Sequence, residues 1–149
     1  MFCSKKVGCG KILISALAFA LVSFIVNEVA AVMQMSYYLL PDYFTVWSKV
    51  MMPLAGPPPT SFYVISFIFS LITGLVVASL YSCVNCQESK KYWPTVLCFT
   101  YLLSSLSLVF FYLPTYLLIN LPLMLLVDWF IGSVITFFLS SLILVKIMK

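Results

Sequence analysis

Cysteines are the residues in this sequence whose type and spacing are best suited to chemistry. Cys83 and Cys86 form a Cys-x-x-Cys motif, and Cys3 and Cys9 precede the first long apolar segment. Four thiolates can hold zinc or an iron–sulfur cluster, a close thiol pair can exchange with a disulfide, and thiols beside a membrane can carry an acyl chain. Reactivity also needs surroundings that activate the thiolate, which a lone Cys-x-x-Cys does not establish. We therefore expect structural or unreactive thiols and keep the redox and metal interpretations as alternatives.

Two carboxylates, Glu28 and Asp128, lie inside long apolar segments. Charged groups within hydrocarbon are costly, so both are candidates for a proton relay, ion-coupled transport or a metal-ion site. Each lies one or two turns from the same predicted membrane boundary, where water and snorkelling can still serve it. We expect Asn27, Glu28 and Asp128 to converge there. We also expect Lys49 to pair with one of the carboxylates and so hold the neighbouring loop against the helices.

The residue types restrict which metals the chain can bind. The sequence contains no histidine, which excludes nitrogen-rich zinc, copper or iron sites. Thioether sulfurs could bind Cu(I), and four methionines fall on one predicted side: Met33, Met35, Met51 and Met52. Methionine in an apolar chain is more often a packing residue. No cofactor is therefore predicted, and zinc or an iron–sulfur cluster at the four cysteines, or Cu(I) at these methionines, stay as alternatives.

Composition indicates that these residues act inside a membrane. Apolar residues make up 64% of the 149 residues and charged residues 8%, against about 45–50% and about 25% in soluble domains. A hydrocarbon layer about 30 Å thick requires roughly 20 apolar residues per helix. The sequence predicts four such spans, at about 12–32, 61–81, 94–112 and 123–145. The expected fold class is all-α, a single four-helix transmembrane bundle.

Lysine placement predicts the orientation of these spans. Seven of the eight lysines fall on one predicted side, and Lys49 falls on the other. Because positively charged short loops stay in the cytoplasm during insertion, both termini are expected to be cytoplasmic, in the plasma (inner) membrane. The net charge of +4 then reflects topology and attraction to anionic lipid, and gives no reason to propose nucleic acid as a partner.

The connection between the first two spans carries its own helical pattern. Apolar residues recur at helical spacing around Trp47, which predicts an interfacial amphipathic helix over 42–52 with Asp42 as its N-cap. The prolines at 57–59 exclude a helix there. On the second span, small residues recur every four positions at Gly74 and Ala78, a spacing that favours close packing between membrane helices.

The Cys-x-x-Cys motif, the chain length and the four apolar spans together resemble the quinone-linked disulfide-forming membrane oxidoreductases. That resemblance implies a four-helix bundle and thiol–disulfide exchange at Cys83 and Cys86. Those families also carry a second cysteine pair on the outer face. In this sequence the fifth cysteine, Cys98, falls just inside the third span, so the pairing of the family is not reproduced.

A broader resemblance covers most of the chain. Asn27 and Glu28 late in the first span, Trp47 in a long loop, prolines before the second span, and Gly74-x-x-x-Ala78-x-x-Tyr81 near its end are similar to small uncharacterised four-helix membrane proteins of microbes. This resemblance implies a fold and no activity.

The sequence favours a non-catalytic function. Short loops and few polar groups leave little apparatus for catalysis, so we expect an accessory or scaffolding subunit of a membrane complex, or a homo-oligomer. The expected partners are the lipid bilayer and other membrane-protein subunits or further copies of the chain. Two alternatives remain: a small ion-coupled transporter using Glu28 and Asp128, and a membrane thiol–disulfide oxidoreductase using Cys83 and Cys86.

Overall fold

The computed structural model describes residues 8–53, 56–83 and 91–148. In these ranges the chain forms four long helices and no strand. Each helix is long and apolar enough to cross a membrane: helix 1 is Cys9–Met33, helix 2 is Thr60–Cys83, helix 3 is Tyr92–Leu118 and helix 4 is Leu123–Met148. The predicted all-α four-helix class is confirmed, and the chain is a multi-pass integral membrane protein.

Helices 1 and 4 pack against each other, helix 2 packs against helix 1, and helix 3 packs against helix 4. Both described chain ends lie at the same end of the bundle, which we call the terminal end. We call the opposite end, where residues 34–59 connect helices 1 and 2, the loop end. The cavities described below lie towards the loop end.

The terminal end is closed by apolar packing from all four helices. Its core contains Phe19, Tyr81, Phe99 and Leu144, which are each at most 3% exposed. Tyr81 and Phe99 meet edge to face with ring centroids 5.1 Å apart and so join helix 2 to helix 3. Aromatic pairs of this kind contribute about 0.5–1.5 kcal/mol beyond the area they bury.

Helices 1 and 2 approach each other closely at Gly74. A Cβ atom placed on Gly74 would lie 2.6 Å from the carbonyl oxygen of Ala16 and 2.9 Å from its Cα. Those atoms belong to the backbone of helix 1, so they cannot rotate away. Only glycine allows this approach, and the small-residue face predicted on helix 2 does pack against helix 1.

Helix 3 is longer than the sequence predicted. The predicted span ended at residue 112, before Pro114, but the helix continues to Leu118. It passes the proline through a π-helical turn at Leu108–Tyr112, in which the N–H of Leu113 bonds to the carbonyl oxygen of Leu108, five residues earlier. Proline lacks an N–H and its ring crowds the preceding turn, and the wider π turn accommodates both effects.

The connection between helices 1 and 2 differs from the predicted amphipathic helix over 42–52. It contains a one-turn helix, Met35–Tyr38, and a 3₁₀-helix, Pro41–Val46. The 3₁₀-helix has Leu40 at its N-cap rather than Asp42, because proline with its fixed φ is suited to the first helical position. It stops before Trp47, whose backbone is extended, and this turns the indole towards Tyr38.

Candidate functional site

Four side chains hold the connecting loop against the bundle, and we call them the loop latch: Gln34, Tyr38, Trp47 and Trp129. The indole N–H of Trp129 on helix 4 is shared between Gln34 Oε1 at 3.1 Å and Tyr38 Oη at 3.0 Å. Tyr38 Oη in turn donates to Gln34 Oε1 at 3.1 Å. The indole N–H of Trp47 donates to the carbonyl oxygen of Tyr38 at 3.1 Å. The latch therefore joins the end of helix 1, the loop and helix 4.

Ring packing reinforces these hydrogen bonds. The rings of Tyr38 and Trp47 meet edge to face at 5.1 Å, and those of Trp47 and Trp129 lie 6.3 Å apart in a tilted arrangement. Met52 and Leu125 are buried in the same cluster. Hydrogen-bonded aromatic side chains have few rotatable bonds to restrict, so the latch holds the loop in one position at small entropic cost.

Burial changes the acidity of the phenol in the latch. Removal from water raises the pKa of Tyr38 above its ordinary value, and the hydrogen bond from Trp129 opposes this shift as the smaller effect. Burial disfavours the phenolate because charge is poorly solvated there. Tyr38 therefore stays protonated and keeps its O–H available to Gln34.

A cavity of about 370 Å³ lies below the latched loop, between helices 1, 2 and 4. We call it the loop-end cavity. Its walls are mainly apolar and aromatic, with Phe24 from helix 1, Phe62 from helix 2 and Trp129 from helix 4, and the loop contributes Trp47 and Met52. Small-molecule sites in proteins have volumes of about 300–1,000 Å³ and apolar walls with a few polar groups. The loop-end cavity meets that description.

Glu28 supplies the one carboxylate among the described residues that line this cavity. The side chain is half-buried, and no group in residues 8–53, 56–83 or 91–148 forms a hydrogen bond or an ion pair with it. Lys49 is exposed and lies outside the cavity lining. The expected ion pair between Lys49 and Glu28 or Asp128 does not form among the described residues. The loop is held by the latch instead.

Two smaller cavities adjoin the loop-end cavity, and Asn27 lines all three. One, of about 170 Å³, is lined by hydroxyl groups that include Ser70 and Thr136. The other, of about 300 Å³, is lined by Asp128 and Ser133. The structure thus brings Asn27 and Glu28 to one cavity and places Asp128 in the next, with Asn27 shared between them.

The methionines proposed for Cu(I) divide between the cavity and the surface. Met35, Met51 and Met52 line the loop-end cavity, whereas Met33 lies outside the lining and is 79% exposed. Methionine side chains also pack well against an apolar ligand, because the thioether sulfur is polarizable and the side chain adapts its shape. In the part of the chain that the structure describes, no three His, Cys, Asp or Glu side chains come together as a metal site.

Of the candidate cysteines, Cys9 and Cys83 lie at the terminal end, at the opposite end of the bundle from the loop latch. Cys3 and Cys86 lie outside the described residues. Cys9 is a free, exposed thiol, and Cys83 is disulfide-bonded. Cys98, which the sequence analysis did not select, is also disulfide-bonded. Cys98 lies in the second turn of helix 3, at the same end of the bundle as Cys83. This position in the sequence was the signal that could have marked it as a candidate.

The chain matches no family model, no curated protein and no solved structure. A functional proposal therefore depends on the geometry of the chain itself.

Sequence reasoning missed three of the four latch residues. Gln34 directly follows helix 1, Tyr38 lies in the one-turn helix, and Trp129 follows Asp128 in helix 4. A glutamine at the end of an apolar helix, and tryptophans whose N–H needs an acceptor, were signals for a polar cluster. They did not identify which residues would meet, since Gln34 and Trp129 are 95 positions apart.

Proposed function

We propose that this chain is a non-catalytic membrane protein that binds one small amphipathic molecule in the loop-end cavity. The observation that carries the proposal is the cavity of about 370 Å³, which has aromatic walls, a latched roof and one carboxylate among its described lining residues. Apolar walls supply affinity, and a few polar groups fix the orientation of the ligand.

The latch supports binding because it forms the roof before any ligand arrives. Trp47 and Trp129 belong both to the latch and to the cavity wall. A ligand entering a preformed cavity does not have to order the loop, and the affinity is not reduced by that entropic cost. The expected consequence is measurable affinity for small probes that fit the cavity.

The chemistry around the cavity supports binding more than catalysis. A nucleophile needs a base within hydrogen-bonding distance. The hydroxyl groups of Ser66 and Ser70 line the cavity, and no described base is hydrogen-bonded to either of them. An accessory or scaffolding role, with partner subunits or a second copy of the chain, stays a prediction.

We further propose that the loop end faces the outside and the terminal end faces the cytoplasm. Lys11, Lys91 and Lys146 all belong to the terminal end, which agrees with the retention of positive charge in the cytoplasm. The disulfide bonds of Cys83 and Cys98 argue in the opposite direction, because the cytoplasm keeps most thiols reduced. Labelling with a membrane-impermeant maleimide decides between the two orientations. Cys9 should be labelled only after cells are permeabilised, and labelling in intact cells would show that the terminal end faces the outside.

Binding is tested with 4-tert-butylphenol and purified protein in maltoside micelles, with tryptophan fluorescence as the readout. A Trp93→Phe background leaves Trp47 and Trp129, which both line the cavity. We expect saturable quenching that Ser66→Phe abolishes, because the added ring fills the cavity. The matched control, Val76→Phe, adds the same ring at an exposed position of helix 2 and should bind like the wild type. Equal binding by the two variants would show that the probe does not bind in the cavity.

One observation favours transport as a second candidate function. Glu28 and Asp128 line adjacent cavities that share Asn27, an arrangement suited to passing a ligand from one carboxylate to the other. Passage through the membrane would also require the packed terminal end, with Phe19 and Phe99, to open. Uptake into proteoliposomes tests this candidate: Asp128→Asn should stop flux and leave binding intact, whereas an absence of uptake by the wild type would exclude it.

A further inference from the structure

We propose that the ligand of the loop-end cavity is an organic monocation, with its positive group against Glu28 and its apolar body among the aromatic side chains. This inference rests on the proposed function and adds the chemical class of the ligand. The charge, the aromatic lining and the volume of the cavity all support it.

Charge is the first argument. Glu28 is the only charged side chain among the described residues that line the cavity, and it has no partner among them. Lys49, the cation of the same loop, lies outside the lining. A carboxylate at an apolar wall is poorly screened by water, so a cation entering the cavity is attracted more strongly than it would be on an open surface. An anion would be repelled by the same carboxylate.

The aromatic lining is the second argument. Six aromatic side chains line the cavity: Phe24, Tyr38, Trp47, Phe62, Tyr63 and Trp129. The face of an aromatic ring carries partial negative charge, and tryptophan attracts cations best. The aromatic lining therefore accepts apolar ligands in general and binds a positively charged one more tightly.

Volume and hydration decide between an organic cation and a metal ion. A bare metal ion needs several donor atoms at about 2.0–2.6 Å to replace its water. The cavity of about 370 Å³ offers mostly apolar surface, and its described lining holds one carboxylate for a hard metal ion beside the thioethers of Met35, Met51 and Met52. An alkylammonium or arylammonium ion has a diffuse, weakly hydrated charge, and its carbon skeleton fills the remaining space. The natural source is either a free amphipathic cation or the ammonium headgroup of a zwitterionic lipid.

The test compares three probes of similar shape that differ in charge. They are (4-hydroxyphenyl)trimethylammonium, which is cationic, 4-tert-butylphenol, which is neutral, and 4-hydroxybenzenesulfonate, which is anionic. Binding is measured by tryptophan fluorescence in maltoside micelles, in the Trp93→Phe background. We expect the cation to bind on the order of tenfold more tightly than the neutral probe, and the sulfonate to bind more weakly than either.

Two carboxylate variants separate the proposed role of Glu28 from a general effect of negative charge. Glu28→Gln keeps the shape of the side chain and should bring the cationic and neutral probes to within about threefold of each other. Asp128→Asn neutralises the carboxylate of the adjacent cavity and should keep the wild-type preference. Unchanged binding of the neutral probe shows that each variant is folded.

The possible results distinguish failure of this inference from failure of the proposed function. The monocation would be disproved if the wild type bound the cationic and neutral probes equally, or if Glu28→Gln kept the preference for the cation. Neither result would disprove the binding site. If none of the three probes bound saturably, the proposed function itself would fall.

A competition experiment with lipid identifies the source of the positive group. If phosphatidylcholine added to the micelles weakens binding of the cationic probe to the wild type, and not to Glu28→Gln, the lipid headgroup is the occupant. If the affinity is unchanged, the occupant is a free cation. Either result supports an ammonium group against Glu28, carried by a zwitterionic lipid in the first case and by a free monocation in the second.

Discussion

Trp129 donates its indole N–H to Gln34 across the loop end of the bundle, at 3.1 Å. This contact joins helix 4 to the end of helix 1, and through Tyr38 to the loop that covers the cavity. The position of the roof therefore depends on helix 4, although the loop connects helices 1 and 2. A ligand that displaces Trp129 would loosen the roof as well.

Removing the indole N–H of Trp129 should release the loop. Trp129→Phe keeps an aromatic ring and loses the hydrogen bonds to Gln34 and Tyr38, which contribute about 1–3 kcal/mol together. Trypsin can report the opening, because Lys49 is exposed in this loop. We expect cleavage after Lys49 to be faster by roughly tenfold, since proteolysis follows the population of the open loop.

The matched control for this variant is Trp93→Phe, at an exposed tryptophan at the start of helix 3. It should be cleaved after Lys49 at the wild-type rate. Equal cleavage rates for Trp129→Phe and Trp93→Phe would show that the latch does not hold the loop.

Two glycine substitutions should differ sharply in their effect on stability. Gly74→Ala places a methyl group 2.6 Å from the backbone oxygen of Ala16, so helices 1 and 2 must separate, at a cost of about 1–3 kcal/mol. At Gly132 an added Cβ meets no atom within 4 Å. Gly132→Ala should therefore unfold at or slightly above the wild-type temperature in the same detergent. A similar loss of stability in both variants would contradict the close approach at Gly74.

Neutralising Lys49 should have little effect. Lys49→Met removes a cation that forms no ion pair among the described residues, and exposed substitutions usually change stability by less than about 0.5 kcal/mol. Thermal unfolding and resistance of the loop to chymotrypsin should both match the wild type. A clear loss in either would restore the ion pair that the sequence predicted.

Alkaline pH should weaken the latch through Tyr38. Burial raises the pKa of this phenol above its ordinary value near 10, so the folded state favours the protonated form. The stabilisation is fully present below about pH 10 and is lost as the pH rises through the raised pKa. Tyr38→Phe should be less stable than the wild type by about 1 kcal/mol at neutral pH. The difference should shrink above pH 10 in thermal unfolding measured across that range, whereas a constant difference would show that Tyr38 does not titrate with the latch.

Alkylation should distinguish the free cysteine of the terminal end from the disulfide-bonded ones. Cys9 is free and exposed, whereas Cys83 and Cys98 are disulfide-bonded. In denatured, unreduced protein, Cys9→Ser should remove one maleimide label, and Cys83→Ser should add one because its former partner is released. Reduction should raise the label count of the wild type. The same count with and without reductant would disprove the disulfides.

The class of this protein follows from the sequence, because membrane insertion depends mainly on local composition. Each apolar segment lowers its free energy by leaving water, and its backbone is satisfied only as a helix, so four spans are readable without tertiary contacts. The same reasoning placed Glu28 and Asn27 beside each other near one end of helix 1. The length of helix 3 was missed because a proline that normally ends a helix is accommodated here by the π turn at Leu108–Tyr112.

The candidate site was decided by the tertiary structure. Charge suggested that Lys49 would hold the loop, whereas Gln34, Tyr38, Trp47 and Trp129 hold it, because indole and phenol groups brought together by packing satisfy one another away from water. Helices 1 and 2 approach closely at Gly74, and the loop lies over the cavity that these two helices line together with helix 4. Such contacts depend on distances between residues far apart in the chain, which local composition does not encode.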